Sequence, residues 1–136
     1  MYTVRKEFRF EAAHVLERCH SDECTFIHGH SYKLEVKVSH DKLNDDGMVI
    51  DFKRLKEIVS PLVNDWDHAL IGTQYSLDPI FNNNVKKKIV DFNPTAENMC
   101  KFFFVRIKNE LNNVNRWFSV TVRLWETATS YAEFSG

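Results

Sequence analysis

The chain has 136 residues, 43% of them hydrophobic and 13% aromatic, which is one domain's worth of ordinary globular composition and excludes disorder and fibrous repeats. Lys plus Arg is 18 against 19 Asp plus Glu, so the formal net charge of −1 lacks the basic excess of a nucleic-acid binder. No apolar run approaches the ~20 residues that span a bilayer, and the N-terminus has no signal-peptide pattern.

From Val4, the residues Val4, Lys6, Phe8 and Phe10 hold one parity and Arg5, Glu7 and Arg9 the other. This period-two pattern puts Phe8 and Phe10 on the core face of a first strand that runs into Ala12-Ala13-His14. A polar loop follows, from about residue 17 to 25. In the next strand Tyr32, Leu34, Val36 and Val38 alternate with Lys33, Glu35, Lys37 and Ser39. Asp45-Asp46-Gly47 signals a turn, and Met48-Val49-Ile50 is expected to return as a further strand of a small antiparallel unit. Asp51 is placed to cap a helix, predicted from the spacing of Phe52, Leu55, Ile58, Val59, Leu62 and Val63. Pro61 inside it is expected to kink or interrupt it.

Residues from about 72 to 93 read as irregular, with Gly, Pro and the triplet Asn82-Asn83-Asn84 marking turns. A connection this long is uncommon in a compact domain and is often functional or mobile. Within it, Lys86-Lys87-Lys88 reads as a solvated loop or helix face. After Pro94, with Thr95 as N-cap, Cys100, Phe103, Phe104, Ile107 and Leu111 give a second helix one apolar face. Phe118, Val120, Val122 and Leu124 then alternate with Ser119, Thr121 and Arg123, and a short last strand covers Ser130 to Phe134. Strands and helices in separate runs indicate an α+β class, with an antiparallel sheet carrying its helices on one face.

The chemistry concentrates in His14 and His28-Gly29-His30. Residues two apart on a strand share a face, so His28 and His30 aim into one space, which His14 reaches if its strand pairs with theirs. Three imidazoles suit Zn²⁺ and leave a fourth position open, the pattern of a catalytic site. An HxH pair by itself also fits surface or hydrogen-bonded histidines. His20 is a ligand or a loop residue, and His40, just beyond a strand, is expected to be exposed. Cys24, four residues before His28, reads either as a small buried hydrophobe or as a thiolate near a metal. Cys100 falls on the helix's apolar face. An odd set of three cysteines without an export signal fits a reducing, cytoplasmic setting rather than a disulfide framework. Asp67-His68 pairs an acid with an imidazole, and the two side chains can meet in a loop or at a helix end. Glu126 is in phase with the apolar residues of its strand. It is therefore either at a strand end in solvent or paired with N–H donors, for which an amino-substituted heterocycle is a bidentate match.

Together these residues resemble the 6-pyruvoyltetrahydropterin synthase and 6-carboxytetrahydropterin synthase family. The resemblance spans nearly the whole chain. It rests on Phe10-Glu11-Ala12-Ala13-His14, on Cys24 to Tyr32, and on Gly47 to Phe52. It continues through Asp67-His68, Asn93 to Asn98 and Trp125-Glu126-Thr127. It implies a tunnelling fold over a single domain, residues 1–136: a four-stranded antiparallel sheet with two helices on one face, closing into a barrel of three subunits and stacking into a homohexamer with sites at subunit interfaces. It implies zinc on His14, His28 and His30, catalysis by Cys24, Asp67 and His68, and a pterin held by Glu126, supported by Thr127 and Thr95. The three residues between Cys24 and His28 resemble the bacterial carboxy synthases of the queuosine (7-deazaguanine) pathway. The implied reaction turns 7,8-dihydroneopterin triphosphate into 6-carboxy-5,6,7,8-tetrahydropterin, acetaldehyde and triphosphate.

Two departures stand out: the 72–93 segment is longer than the bacterial connection, and Cys19, His20 and Glu23 crowd the loop around Cys24. The alternatives are a pyruvoyl synthase, which eliminates triphosphate but keeps the carbon skeleton, and a tunnelling-fold protein that binds a pterin or purine without turning it over. A structural zinc would need a fourth protein ligand, and none is clear.

Overall fold

A computed structural model describes residues 1–80 and 83–136. Asn82, part of the expected turn triplet, lies outside the described residues. The elements run β1 (Tyr2–His14), β2 (His28–His40), α1 (Phe52–Trp66), β3 (Ala69–Gly72), α2 (Gln74–Leu77), β4 (Lys86–Ile89), α3 (Ala96–Asn112), β5 (Ser119–Thr127) and β6 (Ser130–Ser135). They build one six-stranded sheet in the order β4-β3-β1-β2-β5-β6. Strands β1, β2, β5 and β6 pair antiparallel, whereas β3 and β4 add on parallel to β1. The long pair β1–β2 is in register from Tyr2 opposite His40 to His14 opposite His28.

The strand alternation fixes the two faces. Phe10, Tyr32, Leu34, Val36, Val38, Val120, Val122 and Leu124 are buried against α1 and α3. Helix α1 contributes Leu55, Val59, Val63 and Trp66, and α3 contributes Met99, Cys100, Phe103, Phe104, Ile107 and Leu111. Phe10 stacks on Tyr32 at 4.9 Å, and Phe103 packs on both Phe10 and Trp66. Burying this face is the main favourable term of the fold. The other face carries charge across β1, β2 and β5, away from α1 and α3. There Glu35 is buried, its carboxylate accepting from Trp125 Nε1 at 2.8 Å and ion-paired to Arg5 and Lys33.

Asp51 and Thr95 cap α1 and α3 as expected, accepting from the amides of Lys53 and Asn98. Elsewhere the structure corrects the sequence. Met48-Val49-Ile50 is not a strand. Asn44 ties the turn by accepting from the amides of Asp46 and Met48, Gly47 takes a positive φ of 79°, and Val49 and Ile50 bury as loop residues. Helix α1 is not interrupted at Pro61. Pro61 and Glu57 are both exposed, so the Glu57 carbonyl that loses its amide donor faces water. Phe52, counted in the apolar stripe, is 51% exposed at the first position of α1.

The 72–93 segment is more ordered than expected, since it holds α2 and β4, and β3 ends at Gly72. The sheet therefore has six strands rather than four, and a third short helix. The three lysines lie on a strand rather than on the loop or helix face expected, Lys86 and Lys87 exposed and Lys88 half-buried, and their ammonium groups are engaged. Lys86 Nζ donates to the carbonyls of Asn64 and Asp67 at the end of α1, Lys87 Nζ to those of Leu77 and Ile80, and Lys88 pairs with Asp65. His40 is half-buried, with its ring edge-on to Phe118.

Candidate functional site

The register of β1 on β2 assembles three histidines. His14 lies directly opposite His28, and His30 opposite Ala12, so all three rings project from one face. The rings meet edge-on, with centroids 4.4 to 5.1 Å apart. One ligand atom from each lies within 4.8 Å of the others, so the cluster can hold a metal ion.

The tautomers are set by the backbone. His14 Nδ1 is 2.9 Å from the Pro94 carbonyl, and His28 Nδ1 is 2.7 Å from the Phe26 carbonyl. A carbonyl only accepts, so both Nδ1 atoms carry the proton and both Nε2 atoms present lone pairs. Those two Nε2 atoms are 2.8 Å apart. Two lone pairs so placed repel unless a proton or a metal ion lies between them, and carbonyl-anchored imidazoles are the usual outer support of a metal site. His30 Nε2 is buried with no hydrogen bond. Burial above all holds His14 down to about 4, against the Pro94 carbonyl, which raises it, with the other two histidines lowering it further. It is therefore neutral, the form that ligates. Burial likewise lowers His30, while the Glu126 carboxylate raises it.

Glu126 sits at the rim of this cluster, Oε1 3.3 Å from His30 Nε2 and partly exposed. It lies near the strand end, and its approach to His30 is not a hydrogen bond, so within the chain its carboxylate has no N–H donor among the described residues. Beside it lies the buried Tyr32 hydroxyl, which has no hydrogen bond and whose ionisation is pushed up by burial and by Glu126. The alternation of β2 marked Tyr32 as core; nothing in the sequence marked its hydroxyl as bordering the site.

Cys24 is in a 3-10 turn, Asp22–Thr25, within the β1–β2 loop and half-buried. The Cys19 side chain, hydrogen-bonding to it, lowers its thiol below the ordinary value, and Ser21 adds to this; Cys19 is raised by the same contact. Cys100 is buried in the core and pushed up to about 11 by that burial. His20 and Glu23 are exposed in the loop.

Asp67 and His68 come together where α1 ends. Asp67 is the C-cap, and its Oδ2 is 3.0 Å from His68 Nδ1. The Glu11 amide donates to Asp67 Oδ1 at 2.9 Å and is the main cause of that carboxyl's lowered pKa, burial opposing and His68 and Lys86 assisting. His68 takes a left-handed φ of 59°. It opens into a cleft of about 530 Å³ lined also by Glu11, Ala13, Gly29 and Ser31, which alternate with the histidines along β1 and β2, and by His30 of the cluster itself. Among the described residues, no hydrogen bond, ion pair or ring contact joins Asp67 or His68 to Cys24 or to the histidine cluster. Thr95 spends its hydroxyl on capping α3, and Thr127 contacts Thr129 at the exposed end of β5. A Cβ at Gly29 would meet only the Ala12 carbonyl, at an ordinary 3.6 Å, so nothing within the chain requires glycine there.

The sequence profile of the family described as 6-pyruvoyl tetrahydropterin synthase matches residues 3–136. The chain is 37% identical to a 6-carboxy-5,6,7,8-tetrahydropterin synthase of Haemophilus influenzae, over 98% of this chain and 99% of that one. It is 34% identical to one of Aquifex aeolicus, over 98% and 97%. Among solved structures, an uncharacterised protein from Wolinella succinogenes superposes with a TM-score of 0.82 at 20% identity, covering 98% of this chain and 97% of that one. The 6-pyruvoyl tetrahydropterin synthase of Plasmodium vivax superposes with a TM-score of 0.78 at 18% identity, covering 100% and 99%. At these identities the structural likeness bears on the fold.

Proposed function

The chain belongs to the 6-pyruvoyl tetrahydropterin synthase family, and from that premise we propose that it is a zinc-dependent 6-carboxy-5,6,7,8-tetrahydropterin synthase. Its reaction is the conversion of 7,8-dihydroneopterin triphosphate and one water to 6-carboxy-5,6,7,8-tetrahydropterin, acetaldehyde and triphosphate, a lyase step toward 7-deazaguanine products such as queuosine. The observation that carries the reading is the pair of carbonyl-anchored imidazoles whose lone pairs face each other, with a carboxylate at the rim. The names of the full-length relatives favour the carboxy over the pyruvoyl product.

His14, His28 and His30 would hold the zinc, which would supply Lewis-acid polarisation of the substrate's side-chain oxygens. Glu126 accepts the amino group and ring N–H of the pterin in bidentate fashion, with Thr127 and Thr95 in support. Because Glu126 adjoins His30, a pterin gripped there puts its side chain beside the histidine cluster. Cys24, as thiolate, takes the proton from the carbon next to the polarised oxygen. His68 relays the proton, and Asp67 fixes its ring. The catalytic groups come from more than one copy of the chain, in a homohexamer.

The test is to incubate the zinc-loaded protein with 7,8-dihydroneopterin triphosphate and identify the products by mass, with acetaldehyde trapped. Carboxytetrahydropterin with equimolar acetaldehyde is expected. A pyruvoyl product without acetaldehyde would make the chain a pyruvoyl synthase, and bound pterin without turnover would make it a binding protein.

A further inference from the structure

Ser21 occupies the N-cap position of the 3-10 turn Asp22–Thr25 but makes no side-chain capping bond. A serine at such a position ordinarily spends its side-chain oxygen on a backbone N–H two or three residues on. Here the Cys24 amide goes instead to the Ser21 carbonyl, at 3.2 Å, and Ser21 Oγ lies 3.2 Å from Cys24 Sγ. On the other side Cys19 Sγ is 3.0 Å from the same Ser21 carbonyl. Both thiols thus converge on one serine. A thiolate is a far better acceptor than a thiol, and a hydroxyl donating to it makes a charge-assisted bond.

We infer that Ser21 is a positioning residue for the reaction: its hydroxyl donates to Cys24 Sγ, holding the sulfur ionised and fixed in direction. The inference rests on Cys24 being the site's thiolate. The titratable groups around this sulfur are the Cys19 thiol and, on the same turn, the carboxyls of Asp22 and Glu23. No Lys or Arg pairs with the sulfur among the described residues, so neutral donors carry the stabilisation. The Cys24 thiol is lowered first by the Cys19 side chain, which the same contact raises, and next by the Ser21 hydroxyl.

The experiment compares the zinc-loaded parent protein with Ser21→Ala and Ser21→Thr. Iodoacetamide alkylation of Cys24 is followed against pH by peptide-resolved mass spectrometry, so that Cys19 is read separately. The inflection, not the rate, is the readout, because a less basic thiolate is also a weaker nucleophile. Ser21→Ala is expected to move the inflection up by about one pH unit, with the acid limb of the kcat profile following it. Ser21→Thr, which keeps a hydroxyl, is expected to restore both. One inflection shared by all three proteins would overturn the role of Ser21. Failure of the underlying reading looks different: Cys24→Ala would then keep full lyase activity, while the alkylation shift on Ser21→Ala would still report the hydrogen bond.

Discussion

His14 is 1% exposed, and burial is the main reason its folded pKa is about 4 against an ordinary 6.5. In the metal-free protein that shift is a stability term with a definite sign. The folded state refuses a proton that the unfolded chain accepts below about pH 6.5, so stability is full above that pH and is lost as pH falls toward 4. The size is about 3 kcal/mol for His14, and His30, shifted the same way, adds to it. Urea unfolding of chelator-stripped protein should therefore show a midpoint that falls between pH 6.5 and 4.5, and a shallower fall in His14→Asn. An equal pH dependence in the two proteins would show that His14 is not the buried neutral group. The ring cluster itself was legible from the strand parity of His28 and His30. Its supports were not: Pro94 lies 80 residues from His14 in sequence, and the Phe26 carbonyl is aimed by the path of a loop.

At the level of elements, alternation revealed β1, β2 and β5 because each has one buried and one more exposed, polar face. Strand β3 escaped it because all four of its residues are buried, which leaves no alternation to see. Strand β4, Lys-Lys-Lys-Ile, escaped it because three consecutive lysines show no alternation, although lysines are common on an edge strand, where they defend the open edge. Those lysines have a second use. Helix α1 has no basic residue in its last turn, and the missing cation arrives from β4, as Lys86 Nζ on the Asn64 and Asp67 carbonyls at 2.9 and 2.8 Å. Lys86→Met keeps the stem and removes the charge. It should cost about 1 kcal/mol, read as a lower urea midpoint at unchanged slope. Because Asp67 also holds the Glu11 amide and His68, the substitution should lower kcat as well. An unchanged midpoint would reduce the contact to a surface ornament.

On the scale of the whole molecule, the reaction proposed asks Cys24 and His68 to act together, and among the described residues no contact joins them. His68 opens into a cleft lined by Glu11, Ala13, Gly29 and Ser31 and reaching His30 of the cluster. The sheet ends at β4 and β6, and Phe26 and Ile27 beside the Cys24 turn are 65% and 55% exposed. If Cys24 of one copy works with His68 of another, two inactive proteins should repair each other. Cys24→Ala and His68→Ala, unfolded together, mixed in equal amounts and refolded, should regain about a quarter of the parent activity, because random assembly gives that share of sites both intact groups. Mixing without unfolding should regain less, at the rate at which subunits exchange. If both groups acted within one chain, every site in the mixture would carry one lesion, and the co-refolded mixture would be no more active than Cys24→Ala or His68→Ala refolded separately.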